Sequence, residues 1–138
     1  MVCLAKNKKI ILPLKEISKK EGISFDYLEK IFSKLEKSGL VKAKKGVQGG
    51  YFLGRKPSKI KLGEIIRALE GEMALVKCTN TQKRYFCPRD KKCLTKTFWK
   101  KIQNSLNKAL DSLTLADLIN PAVEFRPGFS KRKTKLTK

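Results

Sequence analysis

Three cysteines sit on one short stretch: Cys78, then eight residues, Cys87, then five residues, Cys93. Thiolates are soft ligands and strong nucleophiles, so such a trio can hold a metal centre or react reversibly with oxidants. The spacing is not the paired Cys-x-x-Cys of structural zinc sites, which disfavours zinc. An iron-sulphur cluster suits three thiolates if a fourth ligand comes from elsewhere. Lys77, Lys83, Arg84, Arg89, Lys91 and Lys92 flank the thiols. Their charge would offset an anionic cluster, and it would equally lower thiol pKa values, the requirement of a thiol redox sensor. Cluster, bare thiols and zinc all stay open on spacing alone. Cys3, in an apolar stub, reads as a small buried hydrophobe.

A second constellation lies upstream, where Ser24, Asp26, Tyr27, Glu29 and Lys30 open a predicted helix. Carboxylates facing phosphates alone would only repel, whereas Asp or Glu can accept from the amino group of cytosine. Glu29 is the foremost candidate base reader. The plainer alternative is that Asp26 and Glu29 are solvated and complement the helix dipole. Lys42, Lys44 and Lys45 lead into the glycine-rich run Gly46, Val47, Gln48, Gly49. Lysines on a narrow hairpin can reach backbone phosphates, and glycines permit close approach.

These residues need elements to hold them. Leu14 and Ile17 suit a short helix over 14–20, Glu21 and Gly22 turn the chain, and Ser24 offers an N-cap. Leu28, Ile31, Phe32 and Leu35 then share one face of a helix over 25–37 that stops at Gly39. The β-capable runs 40–45 and 50–53 read as a hairpin, the wing. Leu62, Ile65, Ile66 and Leu69 mark a helix over 60–70 that stops at Gly71 and is expected to cover the wing's inner face. From 94 to 113, Trp99, Ile102, Leu106, Ala109 and Leu113 recur at the spacing of a long helix with one narrow seam, the kind that meets another helix. Phe98 and Trp99 are read as interface or core rather than a base-stacking platform. Thr114 with Asp117 forms a capping box opening a short helix that Pro121 ends.

The fold class is therefore mainly α with a small β-wing. Residues 1–71 form a winged helix-turn-helix whose first helix is expected to be entered near its end. Residues 72–93 form the cysteine-bearing loop, 94–120 a dimerisation helix with a short C-terminal helix, and 121–138 a basic, disordered tail.

Composition narrows the partner. The 138 residues carry 33 Lys and Arg against 12 Asp and Glu, a net charge of +21, with 41% hydrophobic residues. A core of that size is within reach, and the excess charge calls for a polyanion, nucleic acid being the commonest. Residues 126–138 supply six of those positive charges and no acid, so the body stays strongly basic without them. Lysines spread through every segment do not make a membrane-binding amphipathic helix, and no apolar run approaches a spanning length of about 20 residues. A cytoplasmic location without a membrane partner is expected. The chain has no histidine, no phosphate-loop motif and no paired carboxylates, so neither an enzyme nor a small-molecule substrate is expected.

The residues Gly22-Ile23-Ser24 through Tyr27-Leu28-Glu29 and Phe32, Ser38-Gly39-Leu40-Val41, Gly49-Gly50-Tyr51, Leu62-Gly63-Glu64-Ile65 and Lys92-Cys93-Leu94-Thr95 with Trp99 and Leu113-Thr114-Leu115 form one combination. Over about residues 12–120 it resembles the iron-sulphur winged-helix regulators of the IscR and NsrR type, the Rrf2 family. The resemblance implies a homodimer crossed through the long helix and a transcription regulator, expected to be a repressor, that binds double-stranded DNA. It also implies a 2Fe-2S or 4Fe-4S cluster on Cys78, Cys87 and Cys93 whose state sets DNA affinity. Ser24, Asp26, Tyr27, Glu29 and Lys30 would face the major groove, while Lys44, Lys45, Gln48 and Gly49 would serve as the wing. Lys96 stands where IscR-type members carry a histidine ligand, NsrR-like members use an acid near the start of the partner's first helix, and Asp90 is the local acid nearby. The first cysteine gap is three residues longer than the family's usual five. The alternatives are a winged-helix DNA-binding regulator using its cysteines as thiol sensors or a zinc site, and, more remotely, a basic RNA-binding protein.

Overall fold

The structure, a computed structural model, describes residues 1–7, 11–80 and 85–120. The expected tail at 121–138, together with Lys83 and Arg84, lies outside the described residues. Among the described residues six α-helices and one hairpin run in the order α1 (Val2–Lys6), α2 (Leu14–Glu21), α3 (Phe25–Lys37), β1 (Val41–Lys44), β2 (Gly50–Leu53), α4 (Leu62–Glu70), α5 (Lys96–Ser112) and α6 (Leu115–Ile119). Short 3-10 turns lie at Pro57–Lys59, Lys77–Thr79 and Asp90–Lys92. Among the described residues no helix is long and apolar enough to cross a membrane.

The helix-turn-helix forms because each helix has one apolar face. Leu14 and Ile17 of α2 and Leu28, Phe32 and Leu35 of α3 are buried in one core with Leu4, Leu12, Leu40, Val41, Ile60 and Leu115. Gly39 ends α3 at φ 70°, a left-handed conformation that costs glycine nothing. The Leu40 amide then donates to the Leu35 carbonyl at 3.0 Å, so Leu40 caps the helix instead of opening the strand.

The hairpin is antiparallel, with Val41 opposite Leu53 and Lys44 opposite Gly50. A third short segment joins it, for Leu12 and Tyr51 exchange both backbone bonds at 2.9 and 2.8 Å. A Cβ on Gly50 would meet the Leu12 carbonyl oxygen at 2.4 Å, so this approach requires glycine. The wing packs on α3 and α1, whereas α4, expected beneath it, packs mainly on α3 and α5. The reason is a junction that periodicity does not reveal. Leu62 donates to the Leu113 carbonyl at 2.9 Å and Leu115 to the Ile60 carbonyl at 2.8 Å, drawing the α5–α6 corner onto the start of α4. Ile60, read as the first residue of that helix, is extended and fully buried here. Arg67 and Asp111 add an ion pair at 2.6 Å between α4 and α5.

The capping box at α6 forms as expected, the Asp117 amide donating to Thr114 Oγ1 and the Thr114 amide to the Asp117 carboxylate at 2.7 Å. The long helix is shorter than its apolar pattern, because Cys93 to Thr95 are used in a turn and α5 starts at Lys96.

Candidate nucleic-acid interface and cysteine segment

Burial of Leu28, Phe32 and Leu35 turns the other side of α3 to solvent. Ser24, Asp26, Tyr27, Glu29 and Lys30 are all exposed on its N-terminal half, Tyr27 by 59%. Ser24 takes the N-cap position, but its hydroxyl makes no capping bond, unlike the sequence expectation. The α3 amide that closes on it is that of Leu28, through the Ser24 carbonyl at 3.1 Å.

Beside this surface stands the wing. Lys42, Lys44, Lys45 and Gln48 are exposed, and the tip is a tight turn closed by the Gly49 amide on the Gly46 carbonyl at 2.9 Å. Gly49 is half-buried against the Lys44 carbonyl. The Phe32 and Tyr51 rings meet at 4.7 Å and fix the wing against α3. Burial, with the carboxylates of Glu36 and Glu29 nearby, pushes the Tyr51 phenol up. Lys34 reaches from α3 to the Leu69 carbonyl at 2.8 Å, anchoring the helix on α4. An exposed helix row and an exposed basic hairpin are thus joined through the Phe32–Tyr51 contact.

The three thiols of the second site are half-buried. Cys78 is in the Lys77–Thr79 turn, Cys87 precedes the Asp90–Lys92 turn, and Cys93 ends it. Lys77 lies over the Tyr85 ring at 5.8 Å, spanning the segment. Hydrogen bonding from the Thr95 hydroxyl, 3.4 Å from the sulphur, together with the backbone amides of Thr95 and Lys96, holds the Cys93 thiol below its ordinary range against the opposing Asp90 charge. The Lys96 ammonium pairs with Asp90 at 2.5 Å. That carboxylate, and then the fields of Cys78 and Cys93, raise its pKa. Cys3 differs: it lines an apolar cavity with Leu28, Phe32 and Ile65, and burial pushes its thiol up.

The donor set matches an iron-sulphur cluster in part. Three thiols are the right chemistry for three ligands. The chain has no histidine, and Lys96 and Asp90 neutralise one another. Among the described residues no three Cys, Asp or Glu side chains gather to hold a metal ion. The set is therefore incomplete for a four-ligand cluster within the described residues.

Sequence reasoning overlooked Gln103. It is the buried residue of α5, 5% exposed, while Trp99, Ile102, Leu106 and Leu113 of the apolar seam are only half-buried and Ala109 is exposed. Its Oε1 accepts from the Leu75 amide at 2.9 Å and its Nε2 donates to the Met73 carbonyl at 2.6 Å. A lone glutamine on a lysine-rich helix carries no pattern that marks it, because its partners are backbone groups some 30 residues away.

Residues 1–121 match a family model described as "Rrf2: Iron-dependent Transcriptional regulator". The HTH-type transcriptional regulator IscR of Escherichia coli O1:K1 / APEC is 39% identical over 109 residues, 79% of this chain. The chain spans 65% of the length of that relative. Among solved structures, T. potens IscR superposes with a TM-score of 0.65 at 39% identity, over 86% of this chain and 76% of that one. CymR (YrzC), the global cysteine regulator of B. subtilis, superposes with a TM-score of 0.65 at 35% identity, over 86% of this chain and 85% of that one. The family match covers nearly all of the described chain, these relatives agree with it, and the chain belongs to the Rrf2 family.

Proposed function

We propose that this chain is a cytoplasmic DNA-binding transcription regulator, a repressor acting as a homodimer, whose operator affinity is set by chemistry at Cys78, Cys87 and Cys93. The observation that carries the DNA-binding part is the row Ser24, Asp26, Tyr27, Glu29 and Lys30, exposed on α3 beside the exposed lysines of the wing. In this reading α3 enters the major groove, Glu29 accepts from a cytosine amino group, and Lys44 and Lys45 meet phosphates. The half-buried α5 seam supplies the dimer contact, and two α3 helices read half-sites about 34 Å apart. Family membership and the regulators IscR and CymR among the relatives support it.

Two chemistries suit the cysteines. The iron-sulphur reading draws on the family's description as iron-dependent. Cys78, Cys87 and Cys93 would then supply three ligands, and a bound cluster would make the segment responsive to iron and redox state. The thiol reading draws on the Thr95 bond that favours the Cys93 thiolate and on CymR, a cysteine regulator by name.

The deciding experiment has two parts. An anaerobic preparation of the full chain is assayed for visible absorption, iron, sulphide and zinc. It is then titrated with duplexes selected from a random library and with structured RNA. Tight duplex binding that changes when the cysteines are substituted is expected, and preference for RNA would sink the regulator reading. Iron with sulphide establishes the cluster, zinc without them the zinc site, and no metal with intact cysteine dependence the thiol sensor.

A further inference from the structure

We infer that Gln103 is the positioning residue through which the state of Cys78 reaches α5 and hence the two recognition helices. The inference rests on the reading of the cysteine segment as the sensor.

The Gln103 amide is fully engaged. Besides the bonds to Leu75 and Met73, its Oε1 lies 3.4 Å from the Thr79 hydroxyl, and its Nε2 donates to Asn107 Oδ1 at 3.2 Å. Two of these bonds end on Met73 and Leu75, and the Thr79 hydroxyl shares its one proton between the Val76 carbonyl and Gln103 Oε1. Thr79 is itself buried, at 8% exposure, and closes its turn by bonding the Val76 carbonyl with both its amide, at 3.0 Å, and its hydroxyl, at 2.9 Å. Cys78 is in that same turn. A buried polar network is costly to leave half made, so it behaves as a unit. Chemistry at Cys78 that shifts the turn must carry Gln103, and with it α5, or open the network altogether.

The far end of α5 is held separately. Asp111 pairs with Arg67 of α4, and the α5–α6 corner bonds the chain on either side of Lys61. One clamp thus ties α5 to the winged domain and the other ties it to the sensor. Movement at the Gln103 clamp changes the angle of α5 to the winged domain, and in a dimer crossed through α5 it changes the separation of the α3 helices. Gln103 is buried and belongs neither to the exposed α3 row nor to the cysteines, so its effect is on the response and not on recognition.

The test uses the full chain as wild type and as Gln103→Met, which keeps length and removes both polar ends. Operator affinity is measured anaerobically, as prepared and after alkylation of the cysteines with iodoacetamide. Wild type is expected to change by about fivefold or more between the two states, the range of ordinary allosteric coupling. Gln103→Met is expected to change by less than about twofold, while binding as tightly as wild type does in one of its two states. A variant retaining the wild-type ratio overturns the inference while leaving the sensor reading intact. A wild type indifferent to alkylation sinks the sensor reading, and this inference with it. If Gln103→Met loses its helical circular dichroism, Thr79→Val takes its place. A reduced ratio then supports the coupling, and an unchanged ratio overturns it.

Discussion

Phe32 and Tyr51 pack ring against ring, centroids 4.7 Å apart at an interplanar angle of 57°, and so join the middle of α3 to the second strand of the wing. The pair ties the two parts of the candidate DNA surface into one body. Phe32 is 2% exposed, and truncating a buried phenylalanine typically costs about 3–5 kcal/mol. Phe32→Ala is expected to lose stability of that order in denaturant unfolding. Tyr51→Ala, with the ring only half-buried, is expected to lose less stability and still weaken duplex binding, because the wing is no longer held at its angle.

Lys45 and Glu29 are expected to differ in kind. If Lys45 meets a phosphate as proposed, Lys45→Gln is expected to weaken binding to all duplexes alike and to reduce the magnitude of the log K against log salt slope by about 1. Glu29→Gln is expected to leave that slope unchanged. It relaxes discrimination at one base pair by about 1–3 kcal/mol, measured by titrating single-site operator variants.

Thr95 favours the thiolate of Cys93 through its hydroxyl. Thr95→Val removes that bond, so the Cys93 thiol returns toward its ordinary range and less of it is ionised at a given pH. The rate of Cys93 alkylation by iodoacetamide, followed by peptide mass spectrometry, is expected to fall near neutral pH. Its pH profile shifts to higher pH, and the two proteins converge once both thiols are ionised.

Glu64 supplies a stability test. Its carboxylate accepts from the Lys61 amide at 3.0 Å at the start of α4, and the Arg55 guanidinium donates to it at 3.2 and 3.3 Å. The Lys61 bond first, and then Arg55, hold Glu64 below the usual carboxylate range. A lowered carboxylate contributes stability above its unfolded pKa of about 4.3 and loses it as pH falls through the lower folded value. Glu64→Gln keeps an oxygen for the Lys61 amide and loses the charge and the partly exposed Arg55 pair, so it is expected to be less stable than wild type by about 0.5 kcal/mol at pH 7. The difference should shrink below about pH 4, as read from urea unfolding at several pH values.

Much of this protein was legible in its sequence because the information is local. The spacing of Leu28, Phe32 and Leu35 sets which side of α3 is buried, and so which side carries Ser24, Asp26, Tyr27, Glu29 and Lys30. Gly39 and the Thr114–Asp117 box mark helix ends by backbone geometry and by capping. The glycine-rich run between two β-capable stretches marks the wing, and three cysteines in one short segment mark a place for sulphur chemistry. Each of these follows from residues within one or two turns of chain, where periodicity and capping act.

Only the tertiary structure decided what depends on distant partners. Leu12 joins the wing because Gly50 leaves room for its carbonyl, and Ile60 is extended because Leu115 returns to bond it. Lys96 is committed to Asp90 rather than standing free at the mouth of the cysteine segment. Gln103 looks like one more polar residue of a basic helix until Met73 and Leu75 arrive to satisfy its amide. The physical reason is common to Leu12, Ile60 and Gln103. A buried backbone group or charge takes whichever partner the fold brings within reach, and sequence spacing records faces and ends but not who arrives from elsewhere in the chain.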